Sequence, residues 1–422
     1  MTTKSKVPQI RFKGFSEEWE LDTVGTFYNF KNGLNKGKEF FGYGTPIVNF
    51  TDVFHNRSII SNNLKGKVSL SSDEISNYNV KEGDIFFTRT SETINEIGYP
   101  SVMTDSPVNT VFSGFVLRAR AIDLDPLALS FKQYVFFTDI FRSEMVKKSS
   151  MTTRALTSGT AIKQMLFTFP KDKNEQTKIG NYFQKLDKLI EQKDKKYQKL
   201  KQFKKAMLDK MFPKNGADTP EIRFKGFSGK WESKELGTIM DVTSVKRIHQ
   251  SDWTNSGIRF LRARDIVADY KKEDILDYLY ISEEKYNQYS LISGKVKQND
   301  LLVTGVGTIG IPMLIKNDKP IYFKDGNIIW FKNENYLDGY FFYYSFINKT
   351  IQNYIKLSAG TGTVGTYTIE SGKKTPIKIP KKAEQTKIGD YFQKLDKQIE
   401  LQQKELEKLK NIKKASLSKM FV

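Results

Sequence analysis

Gly305, Gly307 and Gly310 spell G-x-G-x-x-G directly after the apolar run Leu301–Val303, and Asp325 follows twenty residues after Gly305. In a dinucleotide fold, such glycines turn a strand into a helix whose N–H groups hold a pyrophosphate. An acidic residue at that distance then holds the ribose. The chemistry requires a helix after Gly310. Here Pro312 and Pro320 bracket a short stretch containing Asn317-Asp318, which reads as a turn between two strands. A hairpin offers no helix N-terminus to a phosphate, so the context argues against a nucleotide site.

Other catalytic groups are scarce. There is no cysteine, and the two histidines, His55 and His249, stand at no metal-ligand spacing from each other. Neither a phosphate-binding P-loop nor a nucleophile elbow occurs, and the Asn/Asp-Pro-Pro-aromatic motif of amino-methyltransferases is missing. Asp194-Lys195-Lys196 has the Asp-x-Lys order of some nucleases but lacks an upstream acidic partner. The chain reads as non-catalytic by itself, with no cofactor and no metal.

What the sequence does carry is positive charge. With 68 Lys+Arg against 48 Asp+Glu the net charge is +20, which favours a polyanionic partner, nucleic acid before an anionic membrane. Residue types that read base edges or grip phosphates recur in loop-like stretches. In the first half these are Asn49, Thr51, Arg89, Thr90, Ser91, Thr152, Thr153 and Arg154. In the second half they are Lys246, Arg247, Arg262, Arg264, Thr304, Thr308, Thr361 and Thr363. No stretch is apolar for long enough to span a bilayer, and the start MTTKSKVPQI lacks the apolar core of a signal peptide. The expected location is cytoplasmic, with no membrane partner.

The elements that must position these loops are duplicated. PQIRFKGFSEEWE (8–20) returns as PEIRFKGFSGKWE (220–232), with 10 of 13 positions identical, and residues 175–212 return at 384–421 with 26 identities in 38. Between these anchors the two inserts differ. Even so, KEGDIFFTRTSETINEIGYPSVM (81–103) and KQNDLLVTGVGTIGIPMLI (297–315) share Lys-x-x-Asp, an apolar run, a variable loop and Gly-x-Pro. A weaker match joins 44–53 to 256–266. One helical stretch is expected in each insert, at 125–148 and 337–356. The spacing predicts an α+β fold with two mixed-β domains at 1–170 and 216–380.

The repeated segments carry heptads. Phe183, Leu186, Ile190, Tyr197 and Leu200 in a central helix (171–215), and Phe392, Leu395, Ile399, Leu406 and Leu409 in a C-terminal one (381–422), form a/d stripes. The two helices are expected to pair antiparallel as a coiled coil, with pseudo-twofold symmetry, bringing Lys193 near Gln402.

The doubled P-x-I-R-F-K-G-F-S-x-x-W opening and the doubled E-Q-T-K-I-G-x-Y-F-Q-K-L-D-K segment resemble the specificity subunit of type I restriction-modification systems (HsdS). The resemblance covers the whole chain. It implies two target recognition domains that read the unlike halves of an interrupted double-stranded DNA sequence, with the helices setting their spacing. It also implies two methyltransferase subunits and motor-nuclease subunits as partners, which would carry S-adenosylmethionine and ATP. Two other readings stay open on sequence: an autonomous nucleotide-dependent or DNA-modifying enzyme, and a nonspecific architectural binder.

Overall fold

A computed structural model describes residues 7–359 and 365–422. The chain divides into two units, one containing the residues up to Asp194 together with Lys404–Val422, the other Lys195–Gln403. Each unit is α+β, and each repeats one sheet order.

In the first unit the main sheet runs Tyr28–Asn32, Val116–Ala121, Ile85–Thr88, Pro100–Met103, Ser58–Ile59. In the second it runs Asp241–Thr243, Ile328–Lys332, Leu301–Thr304, Pro312–Leu314. Ile85–Thr88 and Leu301–Thr304 are buried along their whole length, which is why each reads as an apolar run without alternation. The repeated Lys-x-x-Asp closes the turn before that strand. Asp84 accepts the Lys81 N–H at 2.8 Å, and Asp300 accepts the Lys297 N–H at 2.9 Å. A parallel strand pair is also repeated, Phe41–Val48 with Val111–Phe112 and Ile258–Leu261 with Ile321–Phe323.

Where the sequence suggests one helix, at 125–148 and at 337–356, each stretch forms two. Leu129–Val135 is followed by Asp139–Lys148, and Gly339–Ile347 by Lys349–Ser358. Thr138 and Asn348 explain the breaks. Each is extended, and its side chain accepts an N–H of the second helix, as an N-cap does. The second unit adds helices at Ala263–Lys271 and Glu283–Ser293.

The long helices span Lys173–Lys210 and Lys382–Met420. Their shared EQTKIG start is a docking motif. Glu175 and Glu384 are nearly fully buried, and each meets an arginine fork, from Arg11 at 2.7 and 2.8 Å and from Arg223 at 2.6 and 2.7 Å. The Gln176 amide donates to the carbonyls of Pro126 and Pro170. Gln385 donates to the Pro380 carbonyl and accepts the Asp338 N–H. Gly180 permits close approach, since a Cβ there would lie 2.4 Å from the Ser130 carbonyl carbon.

Both helix ends close onto a core. Phe421 packs on Trp19, Phe131 and Phe183 in the first unit, and Phe212 on Trp231, Phe341 and Phe392 in the second. The P-x-I-R-F motif caps the same places. The Ile10 N–H donates to the Lys419 carbonyl, and the Ile222 N–H to that of Lys210.

Within each unit the two helices run antiparallel. In the first, Tyr182 meets Ser416, Asp187 meets Lys413 and Lys193 meets Glu405. In the second, Tyr197 meets Gln403 and Lys204 meets Asp396. Phe183, Leu186, Phe392, Leu395 and Leu406 are buried, while Ile190, Tyr197, Leu200, Ile399 and Leu409 are half-buried. Phe183 and Phe392 also pack against their own unit's insert through Tyr134 and Tyr344. The phenols of those tyrosines donate to Asp187 and Asp396. Burial, then the adjacent carboxylate, pushes both phenols far above the ordinary range and keeps them as donors. No helix among the described residues is long and apolar enough to cross a membrane.

Candidate nucleic-acid interface

The glycine-rich stretch is a hairpin. Leu301–Thr304 pairs antiparallel with Pro312–Leu314, and Thr304 bridges the loop between them. The Thr304 hydroxyl donates to the Thr308 carbonyl at 2.5 Å and accepts the Ile311 N–H at 3.0 Å. Its counterpart is Thr88, whose hydroxyl accepts the Tyr99 N–H at 2.8 Å. Gly98 and Gly310 close the two loops at φ +62° and +76°, a backbone region that favours glycine. That is the physical reason why this one glycine appears in both copies. Asp325 is paired with Arg247 at 2.7 Å.

The two loops therefore occupy one slot in one frame. The match extends one rung beyond the strands. Arg89 N–H donates to the Phe115 carbonyl, and Gly305 N–H to that of Asn327. The Arg89 and Gly305 carbonyls in turn accept the N–H groups of Thr157 and Tyr367. Gly305 cannot carry a side chain in this setting, because a Cβ would lie 2.7 Å from the Tyr367 carbonyl oxygen.

In the first unit, residues distant in sequence come together. Thr90 and Ser91 pair with Leu156 and Ala155, which pair with Ser150 and Met151. This small sheet sets the hairpin tip Thr152-Thr153-Arg154 beside the loop that follows Arg89. All three tip residues are exposed. Neither the Arg89 nor the Arg154 guanidinium has a hydrogen bond or ion pair among the described residues, so both are available to an anionic ligand.

Several sequence candidates have other roles. Thr304 and Ser91 are buried. Thr304 braces its loop and Ser91 accepts the Thr93 N–H, so neither hydroxyl faces solvent as a reader would. Asn49 and Arg262 are equivalent helix N-caps. Their N–H groups donate to Asp52 and Asp265, both at 2.8 Å. Arg262 is further held by Asp265 and Asp277, and Arg264 by Asp277. These two arginines are neutralised by the chain itself, a pairing set by a loop the sequence pattern did not single out. Thr51, Lys246 and Thr308 are exposed. Thr361 and Thr363 lie outside the described residues.

Replacing Thr304 with valine should cost about 0.5–1.5 kcal/mol, the net value of a typical hydrogen bond, here the one accepted from the part-buried Ile311 N–H. Peptide-resolved hydrogen exchange over 301–314 reads the loss, and unchanged protection there would remove the bracing role.

Residues 228–411 match the family model described as a type I restriction modification DNA specificity domain. The specificity subunit of the type I restriction enzyme MjaVIII from Methanocaldococcus jannaschii is 23% identical over 424 residues. That alignment takes in 94% of this chain and 91% of the relative. The chain is thus similar over nearly its whole length to a type I specificity subunit, and its second half carries the match to the specificity-domain model. A Haemophilus influenzae protein named as a type I restriction enzyme specificity subunit is 30% identical over 167 residues, 38% of this chain and only 39% of that relative. The fold agrees with the solved S subunit of a type I system from M. genitalium, at TM-score 0.58, 16% identity and 99% coverage of both chains. A chain from a structural study of type I assembly and conformational transition matches at TM-score 0.52 and 14% identity, over 96% of this chain and 97% of that one.

Proposed function

We propose that this chain is the sequence-reading, non-catalytic subunit of a type I restriction-modification complex, and that each unit reads one half of an interrupted asymmetric target in double-stranded DNA. The observation that carries this reading is the equivalence of the two hairpins. The same rungs, bracing threonine and closing glycine present RTSETINEI in one unit and GVGTI in the other. Unlike loops in a common frame suit unlike half-sites, whereas identical loops would suit a palindrome.

Adenine methylation and translocation would then belong to methyltransferase and motor-nuclease partners, which would supply S-adenosylmethionine and ATP. The paired helices would set the gap between half-sites. The units read the DNA independently on this view. Exchanging residues 233–380 for the insert of another family member should change one half of the methylated sequence, as read by methylation-sensitive sequencing of host DNA. A change in both halves would refute the two-reader arrangement. Methyl transfer by the isolated chain with DNA and S-adenosylmethionine would favour the enzyme reading instead.

A further inference from the structure

Phe115 is 63% exposed, although its neighbours Gly114 and Val116 are buried. It lies in the turn between Val111–Phe112 and Val116–Ala121, where water contact has no structural benefit for a phenylalanine. Val116 pairs with Thr88 in the antiparallel ladder, so Phe115 stands opposite Arg89, joined to it by the N–H···O bond of 3.1 Å. Paired positions of an antiparallel ladder have Cβ atoms about 4.5–5.5 Å apart, and this pair lies one step past the strand ends. A guanidinium with no partner among the described residues and an exposed aromatic ring therefore belong to backbone-bonded positions at the mouth of the variable loop. The second unit has Gly305 and Asn327 on this rung and so lacks both side chains.

Resting on the DNA-reading function proposed above, we infer that Arg89 and Phe115 form one specificity element of the first half-site. Arg89 donates two hydrogen bonds to guanine O6 and N7 in the major groove. Phe115 makes apolar contact with the 5-methyl group of an adjacent thymine. The major groove is the place where a guanidinium fork and a ring can both find base-specific partners, and an apolar side chain there distinguishes thymine by its methyl group. Two backbone positions bonded to each other at 3.1 Å suit neighbouring base pairs. The first half-site therefore contains a guanine next to a thymine, on either strand.

The test uses the full chain assembled with its methyltransferase subunits and a duplex carrying the methylated sequence, with each thymine of the first half-site replaced in turn by deoxyuridine. That change removes only the methyl group. Binding should fall about fourfold at one position, the value of one buried methyl-sized group. With F115A, thymine and deoxyuridine at that position should bind alike, and R89A should lose discrimination at the neighbouring guanine by tenfold or more. Deoxyuridine sensitivity that persists in F115A, or no sensitive position at all, overturns the element. So does an F115A defect confined to subunit assembly, which would make Phe115 a protein contact. A wild-type complex with no preference for its target over random DNA would instead defeat the DNA-specificity reading itself.

Discussion

Replacing Phe421 with alanine should destabilise the first unit by about 3–5 kcal/mol, the usual range for emptying a buried phenylalanine site. Phe421 is 7% exposed and joins three elements: Trp19 from the strand entry, Phe131 from the insert and Phe183 from the central helix. None of these rings can fill the void without breaking its own edge or stacked contact. The loss should also be local. Peptide-resolved hydrogen exchange should show protection falling by roughly two to three and a half powers of ten within the first unit, at about 1.4 kcal/mol per power of ten. F212A should do the same in the second unit, where Phe212 meets Trp231, Phe341 and Phe392. If F421A loosened both units equally, the contacts within one unit would not be what the ring supports.

The frame was legible because duplication marked it. EQTKIG occurs twice, and the structure supplies a separate physical reason for several of its positions: the glutamate for an arginine fork, the glutamine for proline carbonyls, the glycine for close approach. The heptads were legible because an apolar stripe on a helix is a local pattern. So was the hairpin at G-x-G-x-x-G, since Pro312 alone argues for a strand after Gly310. The loops were not legible, because their chemistry depends on partners far away in sequence. Arg262 and Arg264 look like free cations until Asp277 folds over them. Thr304 looks like a surface hydroxyl until Thr308 and Ile311 claim it. Phe115 stands next to the buried Val116 and Leu117, and nothing local in the sequence marks its 63% exposure. A helix break costs one capping residue, so Thr138 and Asn348 split stretches that composition alone reads as continuous.

Removing Glu384 should strongly destabilise the second unit, and removing its partner as well checks the cause. The Glu384 side chain is 1% exposed and that of Arg223 17%, so E384A leaves a half-buried guanidinium with only its bond to the Gly229 carbonyl. Breaking one side of a buried pair costs about 3–5 kcal/mol, whereas replacing both partners by well-packed apolar groups is often neutral. E384A should therefore lower the protection of the second unit strongly, while R223M/E384L should recover much of it. R223K alone should also lower protection, because an ammonium cannot reproduce the two-pronged contact at 2.6 and 2.7 Å. The duplicate Arg11–Glu175 in the first unit gives an internal control, since its N–O distances of 2.7 and 2.8 Å and the 1% exposure of Glu175 are nearly the same. Equal losses in E384A and R223M/E384L would mean that side-chain shape, and not the unpaired charge, holds the long helix to its insert.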